Sequence, residues 1–166
     1  IVLCLVGSEM CIRDRKIMSK QYLNSVQKLF KYFIFLLFVS NLHASKVIDI
    51  KEYLSDIEIV SKYEDRKQGL MNRRSIPNDY GMLFIWPYER KQCMWMKNTY
   101  VPLSVAYIDI RGKIIEIYDM VPFSKDSVCS TKAAKYALEV NSGWFEEKNI
   151  NIGDSIEIKK ILSNDK

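Results

Sequence analysis

The sequence predicts a mainly β domain, an antiparallel β-sandwich or barrel with one short helix near the N-terminus of its mature part. Three observations lead there. After Tyr80 short apolar runs recur, each closed by Gly, Pro, Asn or Asp, which is how strands and their turns are written. One stretch alone, beginning at Ser61, carries helix-start chemistry. The length, 166 residues, permits one ordinary domain and leaves no room for two with separate cores.

The first 44 residues read differently from the rest. Cys4 to Arg15, CLVGSEMCIRDR, is what a transposase-type sequencing adapter gives when translated in frame, so residues 1–17 are expected to be an artefact and Met18 the start of the gene. Lys20, Lys28 and Lys31 then precede the apolar run Tyr32 to Val39, which is followed by Ser40-Asn41 and Leu42-His43-Ala44. A basic segment, a short apolar segment and a small residue in that order are the marks of a secretory signal. The run is well short of the roughly 20 residues a membrane span needs. Residues 18–44 are therefore expected to be removed, leaving a single domain over 45–166 in the periplasm or secreted; the rival is an uncleaved anchor, lengthened by Leu29 and Phe30 if Lys31 snorkels. No Cys follows the cleavage point, which argues against a lipoprotein. The membrane is met only through the signal segment.

Trimming changes the chemistry on offer. Of 25 Lys and Arg and 20 Asp and Glu, residues 1–44 hold six and two, so the mature part carries 19 against 18 and lacks the basic excess of a nucleic-acid binder. His43, the only histidine, goes with the leader, and with it Ser-His-Asp, Cys-His and His-ligated metal chemistry. No cofactor and no metal is expected. Cys93 and Cys129 remain, an even number in a compartment that permits disulfides: a bridge between them is expected, with two separate buried thiols as the alternative.

Along the mature chain, Val47 to Ile59 alternates loosely and enters as one or two strands. Ser61-Lys62-Tyr63-Glu64 has the form of a capping box and opens a helix through Arg73, presenting Tyr63, Leu70 and Met71, with Gly69 inside it as a sign of close packing. Gly81 to Trp86 predicts a buried strand that Pro87 breaks; Cys93 to Met96 and Leu103 to Ile110 are the next two. Asp109 to Lys113, with Arg111-Gly112, is a hairpin connection into Ile114 to Tyr118. Tyr136 to Val140 ends in the turn residues Asn141-Ser142-Gly143; Trp144 to Lys148 is one helical turn, and a last strand runs Ser155 to Ile161.

Certain residues also carry a resemblance. Arg66, Gly69-Leu70-Met71-Asn72-Arg73, Gly81-Met82-Leu83-Phe84, Trp95-Met96-Lys97-Asn98-Thr99, Pro102-Leu103, Ile108-Asp109, Pro122, Leu138-Glu139, Gly143 and Gly153-Asp154 resemble, in order and spacing, the family called domain of unknown function 192. The likeness covers about residues 55–160. It implies a compact, mostly β, frequently exported protein and brings no activity with it. Ser104 stands where the family's Pro-Leu-Asp pattern puts an acid.

Function must then come from side chains. Met94 and Met96 flank Trp95 with period two, so Trp95 faces either a second sheet or a ligand. Lys97, Asn98 and Thr99 follow at a strand end, where binding groups are commonly placed, unless Asn98 and Thr99 merely close a turn beside a solvated Lys97. Glu139, in an otherwise apolar strand, faces solvent or needs a partner, for which Arg66 is the candidate. Trp95, Lys97, Asn98, Thr99, Arg66 and Glu139 are thus the candidate ligand-binding set. The favoured function is a non-catalytic module for a small polar ligand, a glycan or an envelope protein, helped by eight aromatic residues from Tyr80 to Tyr118. The alternatives are a histidine-independent hydrolase or transferase using carboxylates such as Glu139 and Asp109, and a purely structural envelope protein.

Overall fold

Alternation along three strands builds the central sheet of residues 45–163. In the computed structural model, which describes residues 27, 28, 30, 31 and 45–163, these strands are β3 (Tyr80–Arg90), β5 (Leu103–Ile108) and β8 (Ala134–Asn141). Their odd and even positions enter two different cores: Met82, Phe84, Trp86, Leu103, Val105, Tyr107 and Ala137 go one way, Leu83, Ala106, Ile108, Leu138 and Val140 the other. With period-two side chains, a strand that is apolar at every position has both faces covered. β2 (Asp56–Val60) and β6 (Ile114–Met120) complete the sheet in the order β2-β3-β8-β5-β6. Its pairs are antiparallel except β2 with β3, which is parallel. The sheet stays open, with β2 and β6 as its edges, so the mainly β expectation holds in sandwich-like rather than barrel form.

One face is covered by β1 (Val47–Ile48), a 3-10 turn at Ile50–Glu52, β9 (Ser155–Ile156), α2 (Trp144–Glu147) and α3 (Ile158–Leu162), which deliver Ile48, Ile50, Trp144, Phe145, Ile156, Ile158 and Ile161. The other is covered by the chain after α1 (Tyr63–Gln68) and by β4 (Cys93–Met94) with the loop after it, through Leu70, Met94, Met96 and Val101. β4 pairs antiparallel with β7 (Val128–Cys129), and β7 is tied to the sheet by the Tyr107 hydroxyl, which donates to the Val128 carbonyl at 2.7 Å. The expected disulfide is present: Cys93 and Cys129 are register partners with Cα atoms 4.0 Å apart.

Several expected boundaries move, each for a local reason. The helix expected through Arg73 stops at Gln68, because Gly69 leaves the helix at φ +46°. Its capping box does not form: Lys62 is the N-cap, without a side-chain bond, and the Ser61 carbonyl accepts from the Arg66 guanidinium instead. Pro87 does not end β3, which runs to Arg90, because a register irregularity between Ile85 and Arg90 removes the ladder bond proline cannot make. The strand expected from Cys93 to Met96 stops at Met94. The last strand ends at Ile156; Lys159-Lys160 breaks the alternation, and Ile158 and Ile161, three apart, bury together from a helix.

Gln27, Lys28, Phe30 and Lys31 are helical. The adapter assignment at 1–17 and the rest of the signal at 18–44 lie outside the described residues. The chain divides into two units, 1–44 and 45–166. Among the described residues no helix is long and apolar enough to cross a membrane.

Candidate functional site

Glu139 sits in β8 with Met82 of β3 beside it on one side and Val105 of β5 on the other. Those neighbours belong to the second core, so alternation points an acid into an apolar face. It is 4% exposed, and no hydrogen bond or ion pair from a described residue reaches its carboxyl group. Desolvation alone pushes its pKa up, to about 8. At neutral pH the group is therefore a carboxylic acid that can both donate and accept a hydrogen bond. Its oxygens are not sealed in, since Trp144 Nε1 is the one fully enclosed side-chain polar atom without a hydrogen bond among the described residues, so the opening they keep asks for an explanation.

The explanation is next to it. Glu139 and Thr99 line a cavity of about 250 Å³ between α1 with its following turn, β3, and β4. Phe84 and Trp86, stacked with ring centroids 6.0 Å apart, give one apolar wall, and Leu70, Met94 and Trp95 add others. Gly69 lets the turn come down on this wall: a Cβ there would sit 3.4 Å from the Phe84 ring. Arg66, Lys67 and Arg90 also line it and bring three positive charges. Arg66 is held in place by the Ser61 carbonyl and, at 3.1 Å, by the Ile85 carbonyl. It forms no ion pair with Glu139, and the pairing suggested by the sequence is not made. Lys67 and Arg90 make no ion pair among the described residues.

The other candidates divide. Trp95 swings out between the buried Met94 and Met96, is 42% exposed, and lines the cavity. Thr99 lines it too, although its hydroxyl donates to the Lys97 carbonyl at 3.3 Å and its amide to Met96 at 3.1 Å. Asn98 takes φ +57° and its carbonyl accepts the Asn72 amide at 2.8 Å, which fixes a turn rather than a binding group. Lys97 lies over the Trp95 ring, its Nζ 5.4 Å from the centroid, and is not among the lining residues. Four of the six expected residues, Arg66, Trp95, Thr99 and Glu139, thus share one cavity. Lys67, Trp86 and Arg90 were not legible as site residues: two are exposed cations and the third reads as core.

Asp109 is elsewhere. Its carboxylate accepts the Arg111 and Lys113 amides, both at 2.9 Å, and pairs with Arg111 at 3.1 Å, so it is occupied in closing the hairpin and lines a different cavity. The Glu139 and Asp109 acid–base pair is not assembled. Ser104, at the position where an acid was expected, donates to Asp119 across the β5–β6 pair and accepts the Gly143 amide at 2.9 Å. Among the described residues no cluster of three His, Cys, Asp or Glu side chains is placed to hold a metal.

A second polar group braces the cavity from behind. The Tyr80 hydroxyl and the Arg73 guanidinium both donate to Glu58, at 2.5 and 2.7 Å, tying the turn that carries Leu70 and Met71 to β2. Burial pushes Glu58 up, but these two bonds outweigh it and hold the carboxyl below its ordinary range. The Tyr80 hydroxyl is raised by burial and by the same carboxylate.

A sequence model of the family DUF192, described as an uncharacterised ACR, matches residues 46–158. A crystal structure of a candidate transcription regulator from Sinorhizobium meliloti 1021 matches with 38% identity and TM-score 0.57, over 58% of this chain and 76% of that one. A protein of unknown function from Novosphingobium aromaticivorans DSM 12444 matches with 24% identity and TM-score 0.58, over 60% and 71% of the two chains, and shows the fold alone. No curated protein matches.

Proposed function

The chain belongs to the DUF192 family, and we propose that it is an exported, non-catalytic module that binds a small ligand in the cavity over Glu139. The observation that carries this is Glu139 itself: a buried, unpartnered carboxyl at the wall of a cavity is poor core design and good recognition, because a ligand can complete its hydrogen bonds. Trp95, Trp86 and Phe84 supply the apolar surface that excludes water and Thr99 a further polar contact. Glu139 is the one acid among the lining residues and Cys93 is held in its disulfide, so the site offers no second acid or thiol to share a proton transfer or attack a substrate. Transcriptional regulation, suggested for the Sinorhizobium relative, finds no support in the near-neutral charge of the mature part.

Export rests on the basic, apolar and small-residue order of Lys20 to Ala44, and the division of the chain into units at Ala44 agrees with a mature start near Ser45. The test is a thermal-shift screen of residues 45–166 against a broad metabolite and glycan panel, since a ligand that binds only the folded state must raise its melting temperature. At least one compound is expected to stabilise the parent and to lose that effect in Trp95→Ala and in Glu139→Leu. A hit that stabilises both variants as well as the parent would place the ligand elsewhere, and a silent panel would favour a structural role.

A further inference from the structure

The charges around the cavity are lopsided. Arg66, Lys67 and Arg90 line it, and the one acid among the lining residues is the buried Glu139. Lys67 and Arg90 make no ion pair among the described residues, although Glu64 and Asp65 share α1 with Lys67, so their charges stay unneutralised beside the cavity. Arg66 uses one nitrogen on two backbone carbonyls, which fixes its guanidinium at the cavity without neutralising it. Phe84, Trp86, Met94 and Trp95 give the same cavity aromatic and apolar walls. The cavity therefore combines apolar walls with two unlike polar chemistries: three cationic side chains, and one carboxyl group that no described residue hydrogen-bonds.

We propose that the ligand is a small organic anion with an apolar or aromatic body, whose acidic group meets Arg66, Lys67 and Arg90 and whose opposite end presents a hydroxyl or carbonyl to Glu139. The inference rests on the cavity being a binding site and adds the ligand's class. A cationic ligand would meet three like charges with one acid to offset them; a neutral one would leave those charges unused. A simple inorganic anion would meet the cations and leave Glu139 alone. The carboxyl of Glu139 suits a hydroxyl or carbonyl, because while it holds its proton it donates as well as accepts.

Four probes of one size separate the alternatives when titrated at pH 7 with tryptophan fluorescence and calorimetry: 4-hydroxybenzoate, benzoate, 4-hydroxybenzyl alcohol and 4-hydroxybenzylamine. Binding of 4-hydroxybenzoate is expected to be at least tenfold tighter than that of the alcohol or the amine, and tighter than that of benzoate. Lys67→Ala with Arg90→Ala, both exposed positions, is expected to weaken 4-hydroxybenzoate at least tenfold and leave the alcohol unchanged. Glu139→Leu is expected to erase the preference for 4-hydroxybenzoate over benzoate, whereas Glu139→Gln, which keeps a donor and an acceptor, retains it. Equal or tighter binding of the amine would overturn the anion class while leaving the cavity as a site. Silence from all four probes at millimolar concentration would overturn the anion proposal, and the underlying binding reading falls with it only if the broad metabolite panel is silent too.

Discussion

Glu139 gives the fold a pH dependence of its own. Its folded-state pKa, about 8, lies above the ordinary 4.5, so between those values the folded protein keeps a proton that the unfolded chain has released. Stability from this group is fully present below about pH 4.5, declines as pH rises through the window and levels off above about pH 8. A shift of this size is worth on the order of a few kcal/mol. Glu139→Gln cannot ionise, so chemical denaturation should find it close to the parent near pH 5 and clearly more stable at pH 8. A parent-like slope in the variant would show that another group is responsible. Gly112 is a second residue whose identity is forced: at φ +90° in the Asp109–Lys113 turn, an added Cβ would run into the Ile156 carbonyl oxygen that follows across the chain. Gly112→Ala is expected to destabilise by roughly 2 kcal/mol or more, since both the strained φ and the backbone collision must be relieved.

At the scale of elements, the cavity depends on pieces too short to stand alone. The turn after α1 is held to β2 by Arg73 and Tyr80 meeting on Glu58, with the Arg73 guanidinium also 5.5 Å from the Tyr80 ring centroid. Tyr80→Phe removes one of two donors to Glu58 and should lower stability by about 1 kcal/mol. It should also weaken any cavity ligand, because Leu70 and Met71 are placed by that turn. β4 and β7 have two residues each, and the Cys93–Cys129 bridge, with 36 residues of sequence separation, fastens them. The chain-entropy account gives such a loop about 3 to 4 kcal/mol. Reduction is expected to lower the denaturation midpoint accordingly and to loosen the wall that carries Met94 and Trp95. Unchanged stability after complete reduction, checked by thiol titration, would mean that packing of Met94 and Met96 alone holds this wall.

For the whole molecule, the open sheet with a core on each face accounts for the two apolar sets of residues without a second domain. The first described strand, β1, pairs in parallel with β9 near the other end of the chain, and the Lys46 amide donates to Asp154 at 3.0 Å. The folded unit therefore uses residues from Lys46 onward. N-terminal sequencing of exported material is expected to begin within a few residues of Ser45; a start before Lys31 would count against cleavage.

The sequence by itself determined the strands whose burial is written as period-two apolar runs and the hairpin at Asp109–Lys113, and it named Cys93 and Cys129 as a pair whose bridging the tertiary register then settled. It also marked Glu139, because an acid in an otherwise apolar strand either faces solvent or needs a partner. Tertiary structure alone decided the rest. Whether Arg66 would meet Glu139 depended on which carbonyls lay nearer, and Ser61 and Ile85 did. Lys67 and Arg90 became cavity residues because α1 and β3 were folded against each other across Phe84, and nothing in an exposed cation's local sequence records what it will face. The change of the last expected strand into α3 likewise followed from where Ile158 and Ile161 found a surface to cover. Local pattern states which residues need burial; only the assembled sheet states against what, and a binding cavity is the place where that second demand is left unfilled.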